Sequence, residues 1–151
     1  MQSAKYEYIQ ENIKVSIICN TYNHENYIRK AIEGFIHQKC DFKYEILIHD
    51  DASTDNTPTI IREFEKKYPQ LIKPIYEDKN VYSVNPSLIS ELQYSRIQGE
   101  YVAFCEGDDY WIDEYKLQKQ VDALDRRKDI DICTHSAKVL QNDKQIGVVA
   151  P

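Results

Sequence analysis

Short apolar runs alternate along the chain with longer segments in which apolar residues recur every three or four positions. The runs are typical of β-strands and the longer spacing is typical of amphipathic helices. Five strands are predicted, at residues 14–19, 44–49, 72–76, 101–105 and 132–140. We expect the third near a sheet edge, because Pro74 cannot donate a ladder hydrogen bond. Asn142 and Asp143 predict a turn, and residues 145–149 a returning strand.

Four helices are predicted between these strands. The first covers about residues 25–38. The second has Thr57 as N-cap and Pro58 at the first helical position, and the third is capped by Ser87 after a loop over residues 78–86. Their apolar faces and that of the fourth helix consist of Ile28, Ala31, Ile32, Phe35 and Ile36; Ile60, Ile61, Phe64 and Tyr68; Leu88, Ile89 and Leu92; and Leu117, Val121 and Leu124. Alternating strands and helices predict an α/β fold with a mostly parallel sheet flanked by helices.

Three polar clusters each follow directly after a predicted strand. They are Asn-Thr-Tyr-Asn at residues 20–23, Asp-Asp-Ala-Ser at residues 50–53 and Glu-Gly-Asp-Asp at residues 106–109. In a parallel sheet all three would emerge at the carboxyl ends of the strands, where open α/β sheets bind ligands. Acidic groups that converge there repel one another unless a cation joins them. The pattern therefore indicates a metal ion and a phosphorylated ligand.

The cluster at residues 106–109 is the candidate metal site. Its three carboxylates would repel by roughly 1 kcal/mol per close pair in water, and by more when partly desolvated. Mg²⁺ or Mn²⁺ would remove that repulsion, and one or two protein carboxylates suffice when substrate phosphates complete the coordination. The alternative is a solvated acidic turn that caps the next helix.

The aspartate-rich segment at residues 50–55 fits neither of two common acidic motifs. A calcium loop starting at Asp51 would need glycine where Asn56 stands and glutamate where Arg62 stands. A haloacid-type phosphatase would need a second aspartate where Ala52 stands. Two interpretations remain: an aspartate that accepts a hydrogen bond from a ring N–H of a ligand, or helix capping by Ser53, Thr54, Asp55 or Thr57.

The cluster at residues 20–23 offers Tyr22 for stacking on a planar base and Asn20 or Thr21 for polar contacts, although an ordinary loop is equally compatible with it. The chain has only four glycines and no glycine-rich run, which excludes P-loop and dinucleotide fingerprints. Phosphate charge must then be met by a metal ion.

Composition narrows the possible functions. The 151 residues suit one domain, and a hydrophobic content of 42% is enough for a core. A net charge of −6 argues against nucleic acid as a partner. The four cysteines have no paired spacing, and Cys19, Cys105 and Cys133 are expected to be buried in strands. No run is long enough to span a membrane. A reducing cytoplasm fits these features best.

Together the three clusters resemble the family 2 glycosyltransferases of the GT-A fold, of the kind that builds bacterial surface polysaccharides. The resemblance runs from Lys14 to about Val139. Residues 15–23 look like the opening strand and nucleotide loop, residues 45–57 like the second strand and aspartate loop, and residues 99–109 like the strand leading to a D-x-D element. It implies a Rossmann-like nucleotide-sugar-binding domain over residues 1–151.

The resemblance also implies roles for individual residues. Asn20, Thr21 and Tyr22 would contact the base, and Glu25 would assist at the base or ribose. Asp51, beside Asp50, would accept a hydrogen bond from the uracil ring N–H. Asp108 would bind the divalent cation. Glu106 would reach the ribose, or the metal through a water molecule, and Asp109 would approach the donor sugar or the surroundings of the metal. Trp111 would wall the sugar site or hold the following helix.

The activity implied is inverting transfer of a sugar from a nucleotide-sugar, preferably UDP-linked, to a hydroxyl of a glycan or lipid-linked acceptor. In the family the catalytic base lies well beyond the D-x-D element, so we expect it beyond Pro151 and the chain to be the N-terminal portion of a longer enzyme. That enzyme is expected in the cytoplasm or at the inner face of the membrane.

Two other function classes stay open on the sequence. A nucleotidyltransferase would want a glycine-rich loop with a basic residue after the first strand, which residues 20–26 do not supply. A non-catalytic module would bind only a nucleotide or another protein.

Overall fold

The computed structural model describes residues 12–141 and 144–150. Its six strands are β1 (Val15–Thr21), β2 (Tyr44–Asp50), β3 (Ile72–Tyr76), β4 (Tyr101–Phe104), β5 (Ala137–Gln141) and β6 (Lys144–Val149). Its four helices are α1 (Ile28–Ile36), α2 (Thr57–Lys67), α3 (Pro86–Ser95) and α4 (Lys116–Arg126). The predicted α/β class is confirmed.

The first four strands form one parallel sheet in the order β3-β2-β1-β4. Thr21 lies opposite Asp50 in the register of β1 and β2, and Ile18 lies opposite Phe104 in that of β1 and β4. The carboxyl ends of the central strands therefore lie side by side. β3 is an edge strand, as Pro74 predicted.

One face of this sheet is almost entirely apolar, and we call it the apolar face. The side chains of β1 and β2 on it are those of Val15, Ile17, Cys19, Ile46 and Ile48. They pack with buried residues of α1, α2 and α4, including Phe35 and Leu117, in one continuous core. Burying apolar surface contributes about 25 cal/mol per Å², so this core is the main source of stability.

The opposite face carries buried polar side chains, and we call it the polar face. Successive residues of a strand point to opposite sides, so Ser16, Asn20, Glu45 and His49 share this face with Ile18 and Leu47. Helix α3 covers the face, with Ile89 and Gln93 buried.

Glu45 is the centre of the polar face. It is 1% exposed. Its carboxylate accepts hydrogen bonds from Lys73 Nζ at 2.5 Å, Ser16 Oγ at 2.6 Å and the Gln98 amide at 3.0 Å. Burial alone would raise the pKa of Glu45, but these three donors outweigh it and hold the pKa below its usual value.

The predicted fifth strand was wrong in its start and in its pairing. Strand β5 starts at Ala137, and within the described residues it pairs only with β6, antiparallel, outside the main sheet. Two neighbouring strands joined by two residues can pair only antiparallel, since a parallel pair needs a long crossover. Ile132 is 77% exposed and Cys133 is half-buried in no strand, which corrects the prediction for that cysteine. The returning strand is confirmed, while the predicted turn at Asn142 and Asp143 lies outside the described residues.

Two helix starts differ from the prediction because polar side chains bond to neighbouring backbone. Asn85, not Ser87, is the N-cap of α3, and its side chain accepts from the Ser87 amide. Thr57 is the first residue of α2 instead of its cap, and Asp55 Oδ1 accepts from the Thr57 amide at 2.9 Å. Cys19 and Cys105 are buried as predicted, and all four cysteines are free. In the described part of the chain no helix combines the length and the apolarity needed to cross a bilayer.

Candidate functional site

The three polar clusters meet at the carboxyl edge of the parallel sheet. The Asp51 amide donates to the Thr21 carbonyl at 3.0 Å, which joins the second cluster to the first. The Gly107 amide donates to the Asn20 carbonyl at 2.9 Å, which joins the third cluster to the first. Because these bonds continue the strand pairing past the strand ends, the backbone of all three segments is held in one place.

The loop after β1 is bonded to the loop after β2. Asn23, with φ of 54°, donates its amide to Ser53 Oγ at 2.8 Å and accepts from the Thr54 amide at 2.8 Å. The Glu25 amide donates to Asp55, and the Glu25 carboxylate accepts from the Asn56 amide at 2.9 Å. These bonds draw residue 25 away from α1, which begins at Ile28 instead of the predicted Glu25. Glu25 thus joins two loops in this structure.

Asp51 is buried, and its carboxylate accepts two backbone hydrogen bonds. The Val81 amide donates at 2.6 Å and the Tyr82 amide at 3.0 Å, each to a different oxygen. Asn80 shapes this turn, because its Oδ1 accepts from the Ser83 amide at 2.8 Å. A carboxylate can accept about four hydrogen bonds, so Asp51 retains acceptor capacity for a ligand.

The neighbouring Asp50 is turned towards its own loop. Its carboxylate accepts from Ser53 Oγ at 2.5 Å and from the Ser53 amide at 3.4 Å. Burial raises the pKa of Asp50, and the hydrogen bonds from Ser53 oppose that rise. Ala52, which lies between Asp51 and Ser53, has φ of 60°, a left-handed conformation that favours glycine. Asp50 therefore holds the bend that directs Asp51 to the sheet edge.

The acidic cluster lies at the exposed rim, and all three of its carboxyl-bearing residues are exposed. The Glu106 carboxyl nonetheless loses some of its solvation, and this loss together with the charge of Asp108 raises the pKa of Glu106. Hydrogen bonding by Asn20 favours the charged form of Glu106 and opposes the rise in its pKa. Negative charge is thus concentrated at the metal site that the sequence predicts.

Protein ligands alone would not complete a metal site here. Within residues 12–141 and 144–150, no group of three or more His, Cys, Asp or Glu side chains is arranged to hold an ion. Asp108 and Asp109 are hard oxygen donors at an exposed rim, and they fit a divalent ion that takes its other ligands from water and a diphosphate.

Gly107 allows the acidic cluster to lie against the first loop. A Cβ at this position would stand 2.6 Å from Thr21 Oγ1 and 2.9 Å from His24 Nδ1. Both of those polar atoms are buried, and neither has a hydrogen-bond partner among the described residues. A larger residue at position 107 would push the acidic turn away from the sheet edge.

The two aromatic candidates differ in their surroundings. Tyr22 is 44% exposed at the sheet edge, where a planar ligand could reach its ring. Trp111 is buried, and its ring meets the Phe35 ring edge-on with centroids 4.9 Å apart. Of the two roles expected for Trp111, holding the segment before α4 against α1 is the one that these contacts support.

Nothing in the sequence pattern assigned Gln93 and Arg96 to the site. Gln93 Nε2 donates to Asn20 Oδ1 at 3.1 Å and to the Leu47 carbonyl at 3.2 Å. Arg96 Nη1 donates to Gln93 Oε1 at 3.0 Å, and its other terminal nitrogen donates to the Lys73 carbonyl. Only the helical spacing of Gln93 from Ile89 could have indicated that it faces inward.

Comparison with known proteins agrees with this geometry. The chain matches Glycosyl transferase family 2 over residues 16–146. It is 46% identical over 129 residues to an uncharacterised protein of Mycobacterium tuberculosis (strain ATCC 25618 / H37Rv), covering 85% of this chain and 36% of that protein. It is 30% identical over 99 residues to a poly(ribitol-phosphate) beta-glucosyltransferase of Bacillus spizizenii, covering 65% of this chain and 15% of that one. The chain thus spans well under half the length of these relatives.

Among solved structures, the chain resembles Staphylococcus aureus TarS 1-349 in complex with UDP-GlcNAc. The TM-score is 0.64 at 30% sequence identity, over 76% of this chain and 32% of that one. The shared fold and the match over most of the sequence lead to one conclusion: this chain belongs to glycosyl transferase family 2 and has the GT-A fold.

Proposed function

We propose that this chain forms the donor-binding part of an inverting glycosyltransferase. The enzyme would transfer a sugar from a nucleotide-sugar, preferably UDP-linked, to an acceptor hydroxyl during synthesis of a cell-surface polysaccharide. The observation that carries the proposal is the meeting of the Tyr22, Asp51 and Asp108 segments at one sheet edge. The UDP-GlcNAc complex of TarS and the beta-glucosyltransferase relative support the substrate class.

The nucleotide base would bind between the first two loops. Tyr22 offers an exposed ring for stacking. Asp51 would accept the ring N–H, since its carboxylate is held in place by two amides and keeps further acceptor capacity. Asn20, Thr21 and Glu25 are proposed to complete the contacts to base and ribose, with Asp50 fixing the bend before Asp51.

The diphosphate would lie over the acidic cluster, with Asp108 as the protein ligand of Mn²⁺ or Mg²⁺ and with Glu106 and Asp109 beside it. A divalent ion bound there supplies charge stabilisation for the departing diphosphate. The residues of the chain orient the donor through the base and ribose, so that its anomeric carbon faces the acceptor side. This arrangement fits attack from the opposite face and inversion at the anomeric centre.

Acceptor and catalytic base are proposed to come from outside residues 1–151, because in the family that base lies well beyond the acidic motif. The acceptor would be a glycan or a lipid-linked glycan, and the setting the cytoplasm or the inner face of the membrane. The charge of −6 disfavours nucleic acid as a partner.

The test is calorimetric titration of UDP, with and without Mn²⁺, into the wild type, Asp108→Asn and Asp41→Asn. Asp41 is an exposed aspartate outside the three clusters and serves as the matched control. We expect Mn²⁺ to strengthen UDP binding at least tenfold, and Asp108→Asn to remove that gain while Asp41→Asn keeps it.

Indifference of the wild type to UDP would contradict the proposal and favour an interaction module. If UDP binds, thermal stabilisation by a panel of UDP-, GDP- and dTDP-sugars identifies the preferred donor, and UDP-sugars are expected to give the largest shift.

A further inference from the structure

Gln93 is a buried amide whose hydrogen-bonding groups are occupied on both sides. The residue is 1% exposed. Its nitrogen donates to Asn20 Oδ1 at 3.1 Å and to the Leu47 carbonyl at 3.2 Å, and its oxygen accepts from Arg96 Nη1 at 3.0 Å. Because Arg96 can only donate, the orientation of the Gln93 amide is fixed.

This fixed amide determines which way the Asn20 side chain faces. Gln93 presents a donor to Asn20, so the Asn20 oxygen must point to Gln93 and the Asn20 nitrogen must point away. A flipped Asn20 amide would place its nitrogen against the N–H donor of Gln93, which is a repulsive contact.

We propose that Gln93 is a positioning residue that fixes the orientation of the Asn20 amide at the carboxyl edge of the sheet, where the nucleotide would bind. The proposal rests on the proposed function for its effect on nucleotide binding. Gln93 lies on α3, with its side chain buried against the polar face of the sheet, and would not touch the nucleotide. It acts by holding the Asn20 oxygen, so that the Asn20 amide nitrogen faces away from Gln93 and is available as a donor to a ligand oxygen.

The first test measures the Asn20 side chain without any nucleotide. In ¹⁵N-labelled protein, Gln93→Met is expected to shift the Asn20 side-chain amide resonances and to speed their hydrogen exchange about tenfold, since the partner on Asn20 Oδ1 is lost. Gln98→Met is the control, because Gln98 is an exposed glutamine just beyond α3, and it should leave these resonances unchanged. Unaltered Asn20 resonances in folded Gln93→Met would overturn the positioning role.

The second test measures UDP affinity in the presence of Mn²⁺. Gln93→Met is expected to weaken UDP binding about tenfold, and less than twofold when Asn20 is already alanine, because its effect passes through Asn20. A purely structural role would weaken binding equally in both backgrounds, and that result would overturn the proposal.

Gln93→Glu provides a near-isosteric second variant if Gln93→Met does not fold. Its carboxylate can pair with Arg96 but cannot donate to Asn20, so the Asn20 resonances and the UDP affinity should change as in Gln93→Met. If wild type fails to bind UDP, the proposed function is wrong, and the Asn20 resonances alone then decide whether Gln93 positions that residue.

Discussion

The two faces of the parallel sheet are built on different physical principles. The apolar face packs Val15, Ile17 and Ile48 against three helices in one continuous hydrophobic core. The polar face buries Glu45 of the sheet and Gln93 of the one helix that covers it, and both are satisfied by specific hydrogen bonds. Hydrophobic contacts are non-directional, whereas a buried hydrogen-bond network requires particular partners at particular angles.

The difference indicates that the two faces have separate roles. The apolar face should determine how stable the chain is, and the polar face how the loops at the carboxyl edge are oriented. The polar network reaches that edge through Asn20, whose side-chain oxygen accepts a hydrogen bond from Gln93. Changes on the two faces should therefore separate stability from nucleotide binding.

The largest effect is expected from Phe35→Ala on the apolar face. Phe35 is fully buried and packs against Trp111, and deletion of a buried phenylalanine side chain costs about 4 kcal/mol of unfolding free energy. Urea denaturation measures this loss. Ile112→Ala is the control, since Ile112 is 71% exposed and should change stability by less than about 0.5 kcal/mol. A loss below about 1 kcal/mol in Phe35→Ala would contradict the assignment of stability to this face.

A smaller loss of stability is expected from Glu45→Gln on the polar face. Breaking a buried pair costs 3–5 kcal/mol, but Lys73 is partly exposed and can regain water, so we expect about 2 kcal/mol at pH 7. The matched control is Glu100→Gln, because Glu100 is exposed and pairs with Lys14 at the surface, and it should cost less than about 0.5 kcal/mol.

The pH dependence of stability in Glu45→Gln tests the role of the buried carboxylate on the polar face. The folded pKa of Glu45 is held below its ordinary value of 4.5, so its contribution to stability is present above that pH and is lost as the pH falls through the folded pKa. The stability difference between wild type and Glu45→Gln should therefore shrink as the pH is lowered below about 4.5. Urea midpoints measured from neutral to acidic pH check this, and a difference that grew in acid would refute the assigned sign.

Gly107→Ala should affect binding more than stability. The added Cβ would meet Thr21 Oγ1 at 2.6 Å, which forces the acidic turn away from the sheet edge. We expect about 1 kcal/mol of lost stability from this overpacking, together with loss of the Mn²⁺-dependent part of UDP binding. Gly147→Ala is the control, because a Cβ there meets only ordinary contacts with Val139 at 3.8 Å and beyond. Unchanged Mn²⁺ dependence in Gly107→Ala would show that the close approach is dispensable.

The smallest effect is expected from Ala52→Gly at the bend after β2. A left-handed alanine costs about 1–2 kcal/mol, part of which is offset by the greater freedom of glycine in the unfolded chain, so a gain of about 0.5 kcal/mol is expected. Thermal unfolding measures it, and a lowered melting temperature would argue against strain at this position.

Local patterns in the sequence were sufficient for most of the strands and helices. The 72–76 strand was predicted with its observed bounds, and Pro74 placed it at an edge. Hydrophobic periodicity also predicted α1, α2 and α4 apart from their first and last turns, because those faces pack on the continuous core. The prediction was wrong for the 132–140 strand: residues 132–136 lie in no strand, and the residues from Ala137 onward pair locally with β6 instead of joining the sheet.

The candidate site, too, was predictable from the sequence only in part. The clusters at residues 20–23, 50–53 and 106–109 could be located from sequence, because strand ends in a parallel sheet must share an edge. The sequence could not reveal that Val81 and Tyr82 hold Asp51, nor that Gln93 holds Asn20 from 73 positions away. Such partners come together only when helices and loops have packed.

The amino-acid sequence was enough to predict most of the strands and helices, their apolar faces, and the polar clusters at the strand ends, since these depend on near neighbours in the chain. The partners of the buried polar groups, and the orientation of each amide, depend on how the helices and loops pack in the tertiary structure. Those choices depend on hydrogen bonds between residues far apart in sequence, and a hydrogen bond forms only when distance and angle are both met.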